Sequence, residues 1–284
     1  MKKALLGLAL LLPLAGCETG IRIVSGEGEV VETTFFLEDV SAVSVRHLLG
    51  SKGNETLPLS VSFYPGDEAK AVLRTQESLF EEFTHVQKGD SFSLEGKQNV
   101  AYKTEEFSLS FYGVSPNKIV GESVKILDEG ALTALREVHL SNVGALFLSS
   151  TSSPSLSVKV ENASSFQAEG VATTVLEAEV RDASSFFVDS LACPDASFQI
   201  EAASKANIAG LGNKLKVEAR NASGFYGEGF PVSETRIEVA SSSGAEVRAQ
   251  KASGKVKSAS FLTLFGCSSD SFEVDDSSSL AKKS

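Results

Sequence analysis

The sequence predicts an all-β chain folded as a parallel β-helix, a solenoid whose coils are about 20 residues long. Three observations predict this fold. A short motif rich in Ala and Ser recurs at a nearly constant spacing, apolar and polar residues alternate on both sides of each copy, and no copy contains the helical segment that a β-α-β crossover needs. The copies begin at Asn142, Asn162, Asp182, Ala202, Asn221 and Ser241, at steps of 20, 20, 20, 19 and 20 residues.

The composition excludes several classes of protein. The 284 residues are 42% hydrophobic and include only 7 prolines, which excludes a wholly disordered chain. Three cysteines are too few for a small domain held together by disulfides. The formal net charge of −11 repels phosphate backbones, so we expect no nucleic-acid partner.

Residues 1–16 are predicted to be a secretory signal peptide. Lys2 and Lys3 give it a basic start, and an apolar run follows from residue 4 to residue 14. This run is too short for a permanent transmembrane helix, which takes roughly 20 residues. The segment therefore indicates an exported protein.

The four residues that end at Cys17, Leu-Ala-Gly-Cys, resemble the bacterial lipobox. This resemblance implies that the signal is cut before Cys17 and that acyl chains on Cys17 anchor the mature chain in a membrane, which two or more chains do stably. Glu18 stands where an aspartate would retain a lipoprotein at the inner membrane, so the outer membrane is favoured. The alternative is an ordinary secretory signal with an accidental cysteine. We interpret residues 17–25 as a lipidated tether.

Residues 26–134 are predicted to form a β region that is continuous with the solenoid, because no linker or change in composition separates the two parts. Its candidate strands show alternating hydrophobicity. They lie at residues 30–36, 41–45, 59–63, 71–74, 92–95 and 107–111. Residues 79–83 have a brief helix-like spacing.

Residues 135–284 are predicted to form the repeat solenoid, with irregular coils at the C-terminal end. Each coil supplies two short strands that meet at the Ala-Ser motif, and equivalent positions stack about 4.8 Å apart. In this arrangement Phe166, Phe186 and Phe225 share one interior column, in which Ala206 leaves a gap.

Two further columns favour the same stacking. Asn or Asp begins four of the motif copies, and these residues tolerate the left-handed backbone that a sharp corner needs. An outward column alternates in charge, as neighbours in a stack should. Its members are Glu161, Arg181, Glu201 and Arg220. A propeller, whose blades repeat at about 40–50 residues, and a sandwich, which has no residue ladders, fit the sequence less well.

Several segments occur in an order that resembles a known family. They are Gly-Glu-Gly-Glu-Val-Val-Glu-Thr at residues 26–33, Leu-Glu-Asp-Val-Ser-Ala-Val-Ser-Val at residues 37–45, Val-Ser-Phe-Tyr-Pro-Gly-Asp at residues 61–67, and the Ala-Ser-Ser-Phe repeat. Together they are similar to the head GIN domain family of putative auto-transporter adhesins, over most of residues 26–250. The resemblance implies a right-handed parallel β-helix in an exported bacterial protein. The chain departs from the family at three corners, where Ser164, Ser184 and Lys205 replace the usual glycine, and after Gly254.

No residue pattern predicts catalysis, a metal site or a cofactor. His47, His85 and His139 have no partner at metal-ligand spacing, and no Gly-x-Ser-x-Gly nucleophile motif occurs. The enzyme alternative is a polysaccharide lyase or hydrolase, because many parallel β-helices act on acidic sugars. It would need clustered carboxylates on one outward face.

The predicted positions of the acidic residues disfavour that enzyme class. Glu169 and Glu228 are predicted to share a column but to lie three coils apart, about 14 Å at the strand spacing. Asp189 is predicted to lie one position outside that column. Only Glu218 and Glu238 are expected on adjacent coils of one acidic column.

Cys193 and Cys267 are predicted to be free and packed as small apolar side chains. In the stacked arrangement they lie about four coils apart, roughly 19 Å at the strand spacing. A disulfide needs Cα atoms within about 7 Å of each other.

The predicted function is that of a lipid-anchored envelope protein at the outer membrane, whose β-helical rod binds glycans or envelope proteins through repeated shallow contacts, without catalysis. Two alternatives stay open, a structural scaffold or spacer and a polysaccharide-active enzyme. The sequence identifies no ligand-binding residue. The open coil ends leave room for self-association.

Overall fold

A computed structural model describes residues 21–52 and 55–284. Strands account for 68% of the chain and helix for 2%. Parallel strands stack as a solenoid of about 8 turns with about 20 residues in each, which confirms the predicted fold class. The predicted signal peptide and Cys17 lie outside the described residues.

The N-terminal part consists of short strands and the 3-10 helix Glu77–Glu82, which overlaps the predicted helix-like spacing. The strands are β1 (Arg22–Ser25), β2 (Val30–Phe36), β3 (Ala42–Arg46), β4 (Leu49–Lys52), β5 (Glu55–Tyr64), β6 (Lys70–Gln76), β7 (Thr84–Lys88), β8 (Ser91–Glu95), β9 (Val100–Lys103), β10 (Ser108–Tyr112), β11 (Lys118–Glu122), β12 (Val124–Asp128) and β13 (Glu137–Ser141).

The repeat part consists of long strands that each bend through most of one coil. They are β14 (Ala145–Val160), β15 (Ser165–Val180), β16 (Ser185–Ile200), β17 (Lys205–Ala219), β18 (Gly224–Val239) and β19 (Gly244–Val256). The last coils are divided into β20 (Phe261–Phe265), β21 (Ser269–Val274) and β22 (Ser279–Lys283). Consecutive strands from β14 to β19 pair in parallel, so each coil lies directly on the one before it.

The interior aromatic column has the predicted register. Phe166 pairs with Phe186, and Ala206 pairs with Phe186 on one side and Phe225 on the other. The Phe166 and Phe186 rings stack, with centroids 4.9 Å apart and planes inclined by 12°. Phe198 fills the gap at Ala206, because its ring centroid lies 5.5 Å from that of Phe186 and 5.2 Å from that of Phe225.

Each corner that contains the Ala-Ser motif has two consecutive residues with left-handed backbone. The sequence predicts only one, at the Asn or Asp that begins the motif. The angle φ is 56° at Asn162 and 59° at Ala163, and later corners repeat this pair. Left-handed backbone costs roughly 1–2 kcal/mol for each L-residue. Hydrogen bonds between coils offset this cost, since the Ala163 N–H donates to the Asp182 carbonyl at 2.8 Å and the equivalent bond recurs at the following corners.

A column of buried serines forms the inner side of these corners. Its members are Ser164, Ser184, Ser204, Ser223, Ser243 and Ser260, each at most 4% exposed. All of these hydroxyls except that of Ser223 accept a hydrogen bond from a backbone N–H of the preceding coil. A glycine could not supply this acceptor. The glycines of the later corners, Gly224 and Gly244, share a column with Ser165, Ser185 and Lys205 instead, so the prediction that Ser164 and Ser184 stand at the glycine position is wrong by one residue.

The N-terminal part shares the core of the repeat part but adds antiparallel strands. β3, β11 and β13 pair in parallel and lead into β14. β2 pairs antiparallel with β6, and β7 with β8. Buried apolar residues from Leu37 to Leu264 belong to one cluster. β1 lies within the segment predicted as a tether yet pairs with β9, so the folded part begins before the predicted boundary at residue 26.

Only some residues of the outward column that alternates in charge form ion pairs between coils. Arg181 lies 3.9 Å from Glu201 on the next coil. Glu161 pairs with Lys159, two residues earlier in the chain, at 2.8 Å, and with His139 on the preceding coil at 2.9 Å. Ion pairs between residues two positions apart in the chain therefore compete with ion pairs between coils. The alternation of charge predicts which residues stack on one another, but it does not predict which of them form ion pairs.

Cys193 and Cys267 are free, as predicted. Cys193 is buried, whereas Cys267 is partly exposed. The strand register separates them by the coils of β17, β18 and β19, which is the separation that the repeat spacing predicts.

Candidate functional site

One outward side of the repeat coils carries alternating aromatic and amide side chains, here called the aromatic column. Its members, on successive coils, are Phe147, Gln167, Phe187, Asn207 and Tyr226. Each directly follows a buried residue, and because side chains alternate across a strand, each points out of the coil. Successive aromatic rings are two coils apart, which is about 10 Å at the strand spacing.

The rings at the C-terminal end of this side lie flat on the sheet. A Cβ atom at Gly224 would lie 3.1 Å from the Tyr226 ring, and one at Gly244 would lie 2.1 Å from the Phe261 ring. Both glycines are buried beneath these rings. Gly224 is buried even though it lies in an outward column, where it pairs with the exposed Lys205. Tyr226 is 39% exposed and Phe261 is 47% exposed. The glycines therefore let each ring press one face on the sheet and turn the other to solvent.

The aromatic column continues onto the N-terminal part at its other end. Leu127 pairs with Phe147, and the Lys125 ammonium lies 5.2 Å from the Phe147 ring centroid, within range of a cation–π interaction. Further along the same side, the Tyr64 and Tyr112 rings stack with centroids 5.2 Å apart. Ring surface is thus distributed along much of the rod.

Two carboxylates flank the aromatic column, here called the acidic pair. Glu169 and Asp189 each follow a member of the aromatic column by two positions, so they point out of the same side. Strand pairs on either side of them, Ala168 with Val188 and Gly170 with Ser190, place the two carboxylates next to each other on adjacent coils.

The prediction that Asp189 lies one position outside the column of Glu169 is therefore wrong. The irregular step in the register occurs between β16 and β17, after Val188, whereas β15 and β16 are in step on both sides of Asp189. The 20-residue step by itself places Asp189 beside Glu169, since the two residues lie equally far after the starts of their motif copies, Asn162 and Asp182.

The acidic pair is open to solvent and to ligands. Both residues are exposed, and within residues 21–52 and 55–284 neither forms an ion pair. Glu228, two coils further on, differs because Arg248 lies 3.4 Å from its carboxylate. The two carboxylates of the acidic pair are therefore not neutralised by ion pairs with the described residues.

A second outward side, here called the charged face, carries the columns that run through Ser157, Lys159 and Glu161. It contains shallow grooves of about 500 and 660 Å³. Many of its charges are paired within the face, for example Lys216 with Glu218 at 2.7 Å. Because these charges already have partners, the charged face is the weaker candidate for a ligand site.

Ion pairs on the charged face keep two carboxyl groups ionised. A hydrogen bond from the Lys159 ammonium lowers the pKa of Glu161 below its usual value of 4.5, and His139 adds to this effect. The Lys216 ammonium lowers the pKa of Glu218 in the same way.

The residues that sequence reasoning examined for chemistry have structural roles where the structure describes them. His139 is hydrogen-bonded to Glu161 at 2.9 Å, and His85 packs on Phe35 with ring centroids 4.3 Å apart. Over the described ranges, no group of three or more His, Cys, Asp or Glu side chains is placed to hold a metal ion. In the same ranges, no helix has the length and apolar character needed to cross a membrane. Cys17, the predicted lipidation site, lies outside them.

Sequence reasoning named no ligand-binding residue and missed the aromatic column. The signal was the residue that follows each interior position, which is Phe, Gln, Phe, Asn and Tyr in successive coils. The rings at Tyr226 and Phe261 lie flat over glycines in the structure, which no spacing rule predicts. A row of ring faces with amides between them offers apolar contact and hydrogen-bonding groups in alternation, which suits an extended ligand lying along the rod.

Comparison with protein families identifies one match over most of the chain. The model of the family described as "Putative auto-transporter adhesin, head GIN domain" matches residues 56–266. None of the curated proteins matches the chain.

Solved structures share the fold at low sequence identity. One described as a putative adhesin from Parabacteroides merdae is 12% identical, with a TM-score of 0.69 and coverage of 93% of this chain and 100% of that chain. One described as a putative lipid binding protein from Parabacteroides distasonis is 11% identical, with a TM-score of 0.61 and the same coverage. A second from P. distasonis, described as a putative adhesin, is 13% identical, with a TM-score of 0.57 and coverage of 92% and 97%. At these identities the likeness shows the fold alone.

Proposed function

The chain belongs to the family described as "Putative auto-transporter adhesin, head GIN domain", and we propose that it is a lipid-anchored binding module of the bacterial envelope that holds an extended glycan on its aromatic column. Its mechanism is adhesion by repeated shallow contacts, without catalysis. The ligand lies along the rod axis and crosses one coil about every 4.8 Å.

The observation that carries this proposal is the row of outward rings. Aromatic side chains bury large apolar areas and are concentrated in binding surfaces. Phe147, Phe187 and Tyr226 recur at every second coil, and the intervening Gln167 and Asn207 can bond to hydroxyl groups.

A glycan fits this surface better than a peptide strand. An extended peptide is usually bound by adding to an open sheet edge, where backbone N–H and C=O groups are free. On the aromatic side, the strands from β14 to β19 pair with neighbours on both sides over most of their length, so most of their backbone groups are occupied. What this side offers a ligand is ring faces and side-chain amides, which match the apolar faces and hydroxyl groups of sugar rings.

In this proposal, acyl chains on Cys17 anchor the protein in the membrane. The lipobox and the adhesin family support an envelope location, and Glu18 supports the outer membrane. Lipidation is tested by mass spectrometry of the purified mature protein and of a Cys17→Ser variant. We expect acyl mass on the N-terminal peptide of the native chain and none on that of the variant, and a native chain without acyl mass would contradict the anchor.

Glycan binding is tested with soluble protein that lacks residues 1–17, applied to a panel of immobilised neutral, cationic and acidic polysaccharides. We expect at least one to be bound, and the double variant Phe187→Ser/Tyr226→Ser to lose at least about tenfold in affinity, since central aromatic contacts dominate binding energies. The matched control is Phe36→Ser, because Phe36 lies on β2 and is 68% exposed.

Other outcomes of this panel would replace the proposal. Equal losses in the control and the double variant would show that the aromatic column is not the site. Capture of an envelope protein, without any glycan, would favour a protein ligand or a scaffold. Shortening of a polysaccharide without added cofactor would establish the enzyme alternative.

A further inference from the structure

We infer that the glycan carries free amino groups, so that the ligand class is a linear amino-sugar polymer whose protonated amines face the acidic pair. This inference rests on the proposed function, because it concerns the ligand of the same aromatic column. The observation that supports this inference is the acidic pair on one side of the aromatic column. Its two carboxylates are adjacent and exposed, and neither has an ion-pair partner among the described residues.

The position of the acidic pair makes it part of the same surface. Asp189 lies two residues after Phe187 on one strand, about 7 Å away along the chain, and Glu169 lies beside Asp189 on the preceding coil at about 4.8 Å. A sugar ring resting on Phe187 would therefore extend its polar edge over both carboxylates.

The groups on the other flank do not compensate this charge. The column on that side is neutral at Ser165 and Ser185, beside the acidic pair, and its cations are Lys125, two coils before Ser165, and Lys205, on the coil after Ser185. The opposite sides of a bound chain thus meet different surroundings, neutral hydroxyl groups on one and carboxylates on the other. An acidic polymer would be repelled by the acidic pair and by the net charge of −11, whereas an amine would be attracted.

The contribution of the acidic pair is modest and sensitive to salt. Exposed charge pairs are weak, and screening acts over about 8–10 Å at ordinary ionic strength. We therefore assign affinity to the rings and selectivity to the carboxylates. The matching variant is Glu169→Gln/Asp189→Asn, which removes both charges and keeps the side-chain shapes.

The test compares two ligands with one backbone, chitosan oligosaccharides with free amines and chitin oligosaccharides of the same length with acetylated amines. Binding is measured by calorimetry at mildly acidic pH, where the amines of chitosan are protonated, and at low salt, where charge interactions are weakly screened. We expect native protein to prefer chitosan by about fivefold, and the variant Glu169→Gln/Asp189→Asn to bind both ligands equally. The control Glu177→Gln/Glu234→Gln removes the same charge from exposed positions on strands of the charged face and should keep the preference.

Each remaining result contradicts a different claim. Equal binding of both oligosaccharides by native protein, abolished by Phe187→Ser/Tyr226→Ser, would overturn the amine inference and leave the proposed function standing. Loss of the preference in the control would overturn it as well, because net charge would then be the cause. Polylysine bound as tightly as chitosan would overturn the sugar class, since a flexible polycation has no flat apolar face. Absence of binding to any polysaccharide would overturn the proposed function together with the inference.

Discussion

At the scale of single residues, the corners of the solenoid depend on side chains that look interchangeable in the sequence. Ser164 and Ser165 stand next to each other, yet Ser164 is buried in the serine column and Ser165 lies on the outward side. The hydroxyl of Ser164, like that of Ser184 at the next corner, accepts a hydrogen bond from a backbone N–H of the preceding coil. The same residue type therefore has two different roles at adjacent positions.

Removing one buried hydroxyl should destabilise the fold measurably. Ser204→Ala removes the acceptor of the Ser184 N–H, a 3.1 Å bond, and leaves that donor unsatisfied at a fully buried position. We expect a loss of about 1–3 kcal/mol in the free energy of unfolding, measured by urea denaturation. The control Ser185→Ala, at an exposed position, should change it by less than about 0.5 kcal/mol. Equal effects of the two variants would contradict a stabilising role for the serine column.

At the scale of elements, the interior aromatic stack combines residues from two sides of each coil. The repeat spacing predicts the stack of Phe166, Phe186 and Phe225 but treats Ala206 as a gap. Phe198, which precedes the corner rather than following it, supplies the missing ring. A small residue at one position and a large one across the coil thus preserve a filled core.

The two readings of Ala206 predict opposite effects of enlarging it. If a gap existed, Ala206→Phe would complete the ladder and stabilise the protein. Because Phe198 occupies the space, we expect Ala206→Phe to destabilise by about 1–3 kcal/mol through overpacking. The double variant Phe198→Ala/Ala206→Phe should be more stable than the sum of the single effects implies, which a double-mutant cycle in urea measures. A stabilising Ala206→Phe would contradict this packing.

The fold could be predicted from the sequence further than the site could. Apolar alternation and the 20-residue step fix which residues share a column, so the register of Phe166 with Phe186 and the separation of Cys193 from Cys267 followed directly. The place of Asp189 beside Glu169 also follows from the 20-residue step, so the prediction that put it outside that column misapplied the step. The aromatic column shares its register with the core, but only the three-dimensional structure shows whether a ring lies flat and open to solvent.

At the scale of the whole molecule, ion pairs along the rod should make its stability fall in acid. The pKa of Glu161 and Glu218 is lowered from 4.5 by lysine partners, and that of Asp275 is lowered from 3.8 to about 2 by the Ser258 N–H and neighbouring serine groups. Each carboxyl is a stronger acid in the folded than in the unfolded chain. Its stabilising effect is therefore complete above the unfolded pKa and is lost as the pH falls through the folded one.

We expect the free energy of unfolding to be nearly level around neutral pH and to decline between about pH 4.5 and pH 2. Urea midpoints measured across this range check the decline. Glu161→Gln/Glu218→Gln should lower stability near neutral pH and flatten the upper part of the decline, whereas Glu177→Gln, an exposed neighbour without an ion pair among the described residues, should leave the profile unchanged. An identical profile in both variants would show that these ion pairs do not contribute.

The most direct test of the aromatic column as the binding site uses the absence of Trp from the sequence. Phe187→Trp introduces a single fluorophore in the column, and Ser197→Trp introduces one on the charged face of the same coil. We expect chitosan oligosaccharides to cause a saturable fluorescence change in Phe187→Trp, with affinity rising until the oligosaccharide spans Phe147 to Tyr226, about 19 Å at the strand spacing. The fluorescence of Ser197→Trp should stay constant. A saturable change at position 197 with none at position 187 would place the ligand on the other side of the rod.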